Sequence, residues 1–157
     1  MPTESIRIQK FLKRNWDGPM WHGNNLKELL KDISWERAFY KPGNFSHNIY
    51  EYAQHMLCWR KFVLEHLRGN TSYSVEINSV VDWIVDYEKT EESWAKAVFE
   101  LENNQNELLA AFENFQEQKL DELVPGKQFS WYVMIHGLVH HDIYHSAQIS
   151  LLKNANT

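Results

Sequence analysis

Apolar positions recur along this chain at the spacing of helices rather than the alternation of strands. In residues 4–16, Ile8, Phe11, Leu12 and Trp16 fall three and four apart, which predicts an opening helix. Asp17-Gly18-Pro19 breaks it. Asn25 and Glu28 then stand at capping-box spacing ahead of Leu29 and Leu30, so a second, short helix is expected to end near Ile33. Ser34 is placed to cap one more turn through Phe39, before Lys41-Pro42-Gly43-Asn44 forces a loop.

The next helix is better defined. Asn48 and Glu51 repeat the capping-box spacing, and Ile49, Tyr52, Ala53, Met56, Trp59, Phe62, Val63 and Leu67 carry the stripe to Gly69-Asn70. Residues 71–89 are mixed. Val75, Ile77, Val80, Val81 and Ile84 suggest a strand with no neighbour to pair with, so the segment reads as a long crossover carrying a short helical turn. Thr90 is a good cap for a helix with Glu91 and Glu92 in its first turn, and Trp94, Val98, Leu101, Leu108, Phe112 and Phe115 hold the period. Residues 90–118 contain seven Glu and one Lys, the mark of a solvated acidic face. Residues 120–126 connect to a last helix over about 130–152. The pattern predicts an all-α fold: a four-helix bundle with a long crossover connection, in one domain over residues 1–157.

Composition narrows the function classes. At 43% hydrophobic and 14% aromatic, the chain has far too much apolar material for disorder. A formal net charge of −5 and no basic patch argue against nucleic-acid binding. Cys58 is the single cysteine, which rules out an intrachain disulfide or a C-x-x-C site and reads as a small buried hydrophobe. Without an apolar leader segment or an 18-residue apolar run, the expectation is a cytoplasmic protein that does not enter a membrane.

Chemistry enters with the histidines. His141 and His145 lie four apart on the last helix, so both imidazoles leave one face, one turn apart. Such a pair can share a metal ion, or can simply be satisfied by hydrogen bonds. A metal needs a third ligand, and His55, on the flank of the apolar stripe of a facing helix, is the best internal candidate. Three imidazoles with no obvious fourth protein ligand leave an open position, as in catalytic rather than structural sites.

The remaining candidates rank lower. His140 and His136 point elsewhere, to the surface or to a supporting role. His47 lies in a loop, and His66 near a helix C-terminus. His22, in Trp21-His22-Gly23, serves either a pocket or the local break between helices. Glu51, one turn before His55, invites a fourth-ligand or general-base role, although its capping position explains it more cheaply. Asp142 is a candidate to orient a ligand on a neighbouring helix, and Tyr144 could reach a pocket only from its edge.

Asn48-Ile49-Tyr50-Glu51-Tyr52-Ala53-Gln54-His55, followed by Trp59, resembles the second helix of the DinB-like (YfiT-like) superfamily of metal-dependent enzymes. Residues 137–149, with His141, Tyr144 and His145 leading into Ala147-Gln148-Ile149, are similar to that family's most telling signature. Trp21-His22-Gly23 ahead of Leu29-Leu30, Trp94, and Leu123-Val124-Pro125-Gly126 match one of its branches. Ala147 stands where the signature usually has Gly, a change that touches packing and leaves the histidines alone. Asn48 after His47 replaces a more usual Ser and keeps the cap chemistry.

The resemblance implies an up-down-down-up bundle with a metal held by His55, His141 and His145, nickel and zinc being the expected ions. It implies either a metal-dependent hydrolase or an S-transferase using a low-molecular-weight thiol such as bacillithiol. A metal-binding protein without catalysis is the third class. The expected partners are a small-molecule substrate and, in a homodimer, a second copy of the chain.

Overall fold

The computed structural model describes residues 3–21 and 23–155. His22, a candidate for a pocket or a local role, lies outside the described residues. The elements are α1 (Glu4–Asp17), α2 (Leu26–Lys31), α3 (Trp35–Phe39), α4 (Ile49–Leu67), α5 (Glu91–Glu113), a 3-10 turn (Glu117–Lys119) and α6 (Trp131–Asn154). No strand forms among the described residues, and no helix there is long and apolar enough to cross a membrane.

The helix starts follow from side-chain chemistry. Asn25–Glu28 and Asn48–Glu51 both close complete capping boxes, while the Ser34 and Thr90 side chains accept from the backbone N–H three residues on. These satisfy amides that a helix leaves unpaired at its N-terminus. In α1 the inward face is Ile8, Leu12, Asn15 and Trp16, whereas Phe11 is about half exposed. Three-and-four spacing admits two overlapping faces, and packing chose the one whose polar member, Asn15, has a buried partner. α5 stops at Glu113, two residues short of the predicted stripe, and Phe115 packs from the following turn.

The four main helices, α1, α4, α5 and α6, pack together, with α4 against both α5 and α6 and α1 against the same two. Their apolar faces form two clusters. One joins Trp16, Tyr52, Met56, Leu101 and Ile149 with the α2–α3 region; the other joins Ile8, Phe62, Leu108, Ile135 and Leu138.

Between the clusters in sequence order each helix contributes a buried polar residue to one hydrogen-bonded layer: Asn15, Arg60, Gln105 and Asp142, none more than 4% exposed. Arg60 donates to both Asp142 oxygens (3.2 and 2.7 Å) and to Gln105 Oε1 (3.0 Å). Asn15 reaches Asp142, and Gln105 donates to the Leu12 carbonyl. A buried ion pair is costly to desolvate, and it survives here because the neighbouring amides complete its hydrogen bonds. The layer also fixes how the four helices align along their axes, since a shift of one turn would strand a charge.

The 70–89 crossover contains no assigned helix. Its one helical hydrogen bond, from Trp83 N to the Ser79 carbonyl (2.9 Å), is the short turn expected there. Trp83, Ile84 and Tyr87 pack inward from it against the first cluster.

Candidate metal centre

α4 and α6 face one another so that His55 meets His141 and His145. One ligand-capable atom from each of the three lies within 4.8 Å of the others, and His141 Nε2 stands 3.0 Å from His55 Nε2. Two imidazole nitrogens on one ion, each at about 2.1 Å, can be at most about 4.2 Å apart. In a tetrahedral set the nitrogens stand about 3.4 Å apart, so to share an ion the His55–His141 pair would part slightly and any separation near the 4.8 Å bound would shrink. The three residues chosen from spacing are brought together.

The hydrogen bonds behind the rings decide which nitrogens face inward. His55 Nδ1 lies 2.8 Å from Asp82 Oδ1 and 3.1 Å from the Asp82 carbonyl. Both are acceptors, so Nδ1 carries the proton and Nε2 presents its lone pair. His145 Nδ1 lies 2.6 Å from Gln148 Oε1, which by the same reasoning leaves its Nε2 bare. His141 Nδ1 is buried without a hydrogen-bond partner, so its Nε2 contact with His55 is the interaction that places the ring.

Burial sets the charge of the cluster. His55 and His145 are each 6% exposed. Desolvation pulls His141 down to about 3 and His145 to about 4, with the neighbouring imidazoles adding to the effect. Desolvation lowers His55 as well, against the pull of Asp82 in the other direction. All three are neutral near pH 7, the state in which imidazole donates to a metal.

Aromatic rings wall the site. Trp83 is stacked between His55 (centroids 3.9 Å, planes 9° apart) and His47 (3.7 Å, 13°), and Tyr52 lies 5.5 Å from His145. Asp82, itself 2% exposed, also accepts from Trp59 Nε1 and from the Asn78 amide, both at 2.8 Å. Asn78 occupies the left-handed region (φ 63°), which Asn tolerates better than most residues, in the turn that leads into Asp82.

Asp82 and Trp83 are the residues that sequence reasoning missed. Their only signal was a lone carboxylate inside the apolar run Val80-Val81-Asp82-Trp83-Ile84. Asp142, a candidate to orient a ligand on a neighbouring helix, has its hydrogen bonds with Arg60 and Asn15 instead. It is held by Arg60 in the buried layer, and Asp82 has that place behind His55.

Glu51 is a cap rather than a ligand. It accepts from the Asn48 amide, and its carboxylate also meets His47 Nδ1 (3.1 Å) and the Tyr87 hydroxyl. Burial and that bond to Glu51 push the Tyr87 hydroxyl up to about 12. His47 is thus part of the wall rather than of a free loop.

The other described histidines stay outside the cluster. His140 is exposed, His136 lies 3.7 Å from Glu4 of α1, and the buried His66 donates from Nδ1 to the Phe62 carbonyl (2.8 Å). Cys58 is buried as expected, and desolvation pushes its thiol up to about 11. Tyr144 is largely exposed, its ring edge-on to His145 at 5.0 Å.

No curated protein and no solved structure matches the chain. The sequence model of the DinB superfamily matches residues 21–149, a span that takes in all three clustered histidines as well as Asp82 and Trp83. By sequence match over most of its length, and with the paired histidines of α6 meeting the histidine of α4, this chain belongs to the DinB superfamily.

Proposed function

We propose that this protein is a divalent-metal-dependent enzyme that hydrolyses an ester- or amide-like bond in a small molecule. The observation that carries the reading is the convergence of His55, His141 and His145 as three neutral imidazoles, two of them with Nε2 freed by an acceptor behind Nδ1. This donor set suits nickel or zinc better than magnesium or calcium, which prefer oxygen. With no charged ligand to offset it, such an ion would keep its full charge and supply Lewis acidity, toward water and a carbonyl oxygen or toward a thiol. The chain's own part is to orient and to exclude water. Asp82 holds the His55 ring, and Trp83 and Tyr52 cover the faces of His55 and His145. The same reading takes the bundle as up-down-down-up, since a crossover as long as residues 70–89 lets α4 and α5 run the same way.

A thiol-dependent S-transferase is the second reading, and the nearby carboxylates favour it. Glu51 is engaged by Asn48, His47 and Tyr87, and Asp82 by His55, Trp59 and Asn78. Neither is free to take a proton from water, whereas a low-molecular-weight thiol such as bacillithiol ionises far more readily.

Metal analysis of protein purified without chelator or nickel resin tests the shared premise. A single bound ion is expected in the wild type and in His140→Ala, with sharp loss in His55→Ala, His141→Ala and His145→Ala. Equal occupancy in wild type and His55→Ala overturns the assignment. Metal-dependent cleavage of an ester or amide panel without thiol then supports the hydrolase. Thiol-dependent loss of a chloro-aromatic or epoxide supports the transferase. A loaded protein with neither activity is a metal-binding protein without catalysis.

A further inference from the structure

An apolar cavity of about 220 Å³ opens between α4 and α6 and ends against His141. Trp59 and Phe62 from α4, and Phe129, Val133 and Gly137 at and along α6, form its walls. A cavity of about 150 Å³ lined by such side chains already holds a benzene molecule, so this one has room for an aryl ring or a short alkyl chain. The Trp59 ring lies 6.3 Å from that of His141 and is pinned through Nε1 to Asp82, the residue that also holds His55. The cavity wall and the histidine cluster are thereby one rigid assembly.

Gly137 gives a second, independent observation. It sits inside α6, one turn before His141, where glycine costs about 1 kcal/mol relative to alanine. Close approach of another helix is the usual reason to keep a glycine there. A Cβ built at Gly137 meets no atom within 4 Å, so no neighbour requires its absence. Gly137 is exposed and lines the cavity, so a side chain there would stand at the cavity's open side.

We infer that this cavity is a binding subsite for an uncharged aryl or alkyl group of the molecule whose reacting group lies at the histidine cluster, and that Gly137 keeps its open side clear. The inference rests on the metal-centre reading for what lies at its inner end, but the subsite itself is built from side chains that need no ion. Burying a ring there removes apolar surface from water, and by area alone gives a preference of at least tenfold over a methyl group.

Two measurements test this. In zinc-loaded protein, benzohydroxamate should bind at least tenfold more tightly than acetohydroxamate. Gly137→Leu, which closes the cavity's open side with a better helix former, should bring the two within about threefold while the ion is retained. In metal-free protein, toluene should shift the Trp59 indole N–H and Gly137 amide resonances in nitrogen–proton spectra. The indole shift should be absent in Gly137→Leu and reduced in Gly137→Ala, the milder variant that serves if the leucine protein does not fold. Equal affinity for the two hydroxamates, or a ring preference that survives Gly137→Leu, overturns the subsite even though the metal centre stands. A protein that holds no ion but shows the toluene shifts and their loss keeps the subsite and refutes the metal centre. Absence of those shifts in the wild type overturns the subsite whatever the metal content.

Discussion

Asp82 is the residue whose removal best separates support of the proposed metal centre from membership in it. Asp82→Ala deletes the carboxylate that accepts from His55 Nδ1, Trp59 Nε1 and the Asn78 amide, each at 2.8 Å. Losing a partner behind a metal-ligating histidine costs about 10–100-fold in metal affinity. Here the main-chain carbonyl of residue 82 remains, 3.1 Å from the same Nδ1, and still selects the tautomer that bares Nε2. What disappears is the negative charge that raises the ring's basicity. The expected loss is therefore near the lower end, about tenfold, or about 1.4 kcal/mol. Competition for zinc against a colorimetric chelator measures it directly. Asp82→Asn, which keeps the shape and one acceptor oxygen but not the charge, should fall close to the alanine variant. An affinity within twofold of wild type for Asp82→Ala would refute the coupling. A loss as complete as that of His55→Ala would instead make Asp82 indispensable to the site rather than a support behind it.

Asp142→Ala leaves the fully buried Arg60 guanidinium without its carboxylate and should cost about 3–5 kcal/mol, lowering Tm by roughly 6–20 °C. Arg60→Met combined with Asp142→Leu should recover most of that in denaturant unfolding, and a double variant no more stable than the single contradicts the account. Because burial holds His141 at about 3 and His145 at about 4, against about 6.5 for free imidazole, the unfolded metal-free chain takes up protons at these rings first. Their contribution to stability is full above about pH 6.5 and falls away as the pH drops toward about 4, so the urea midpoint of metal-free protein should decline from pH 7 to pH 5. A midpoint that stays level over that range argues against neutral buried rings.

Local chemistry made the helices legible. The capping boxes at Asn25 and Asn48 and the Ser34 and Thr90 caps act within four residues, so the sequence determined where α2, α3, α4 and α5 begin. The pairing of His141 with His145 was equally local, fixed by the pitch of one helix. His55 comes to the pair because two apolar stripes that bury one another carry their flanks with them.

Other features depended on contacts between distant segments. Phe11 and Asn15 lie one turn apart on the same side of one helix, and the buried layer of Arg60, Gln105 and Asp142 is what draws Asn15 fully inward while Phe11 stays at the exposed edge. Asp142 and Asp82 are both carboxylates in apolar surroundings, and no periodicity distinguishes the one that holds an arginine from the one that holds a histidine of the cluster. That assignment came from the path of the irregular 70–89 crossover, which lays Asp82 and Trp83 against α4. An irregular segment has no repeat from which to read its facing side. Its position is set by whatever donors and ring faces the helices leave unsatisfied, and those exist only once the bundle has packed.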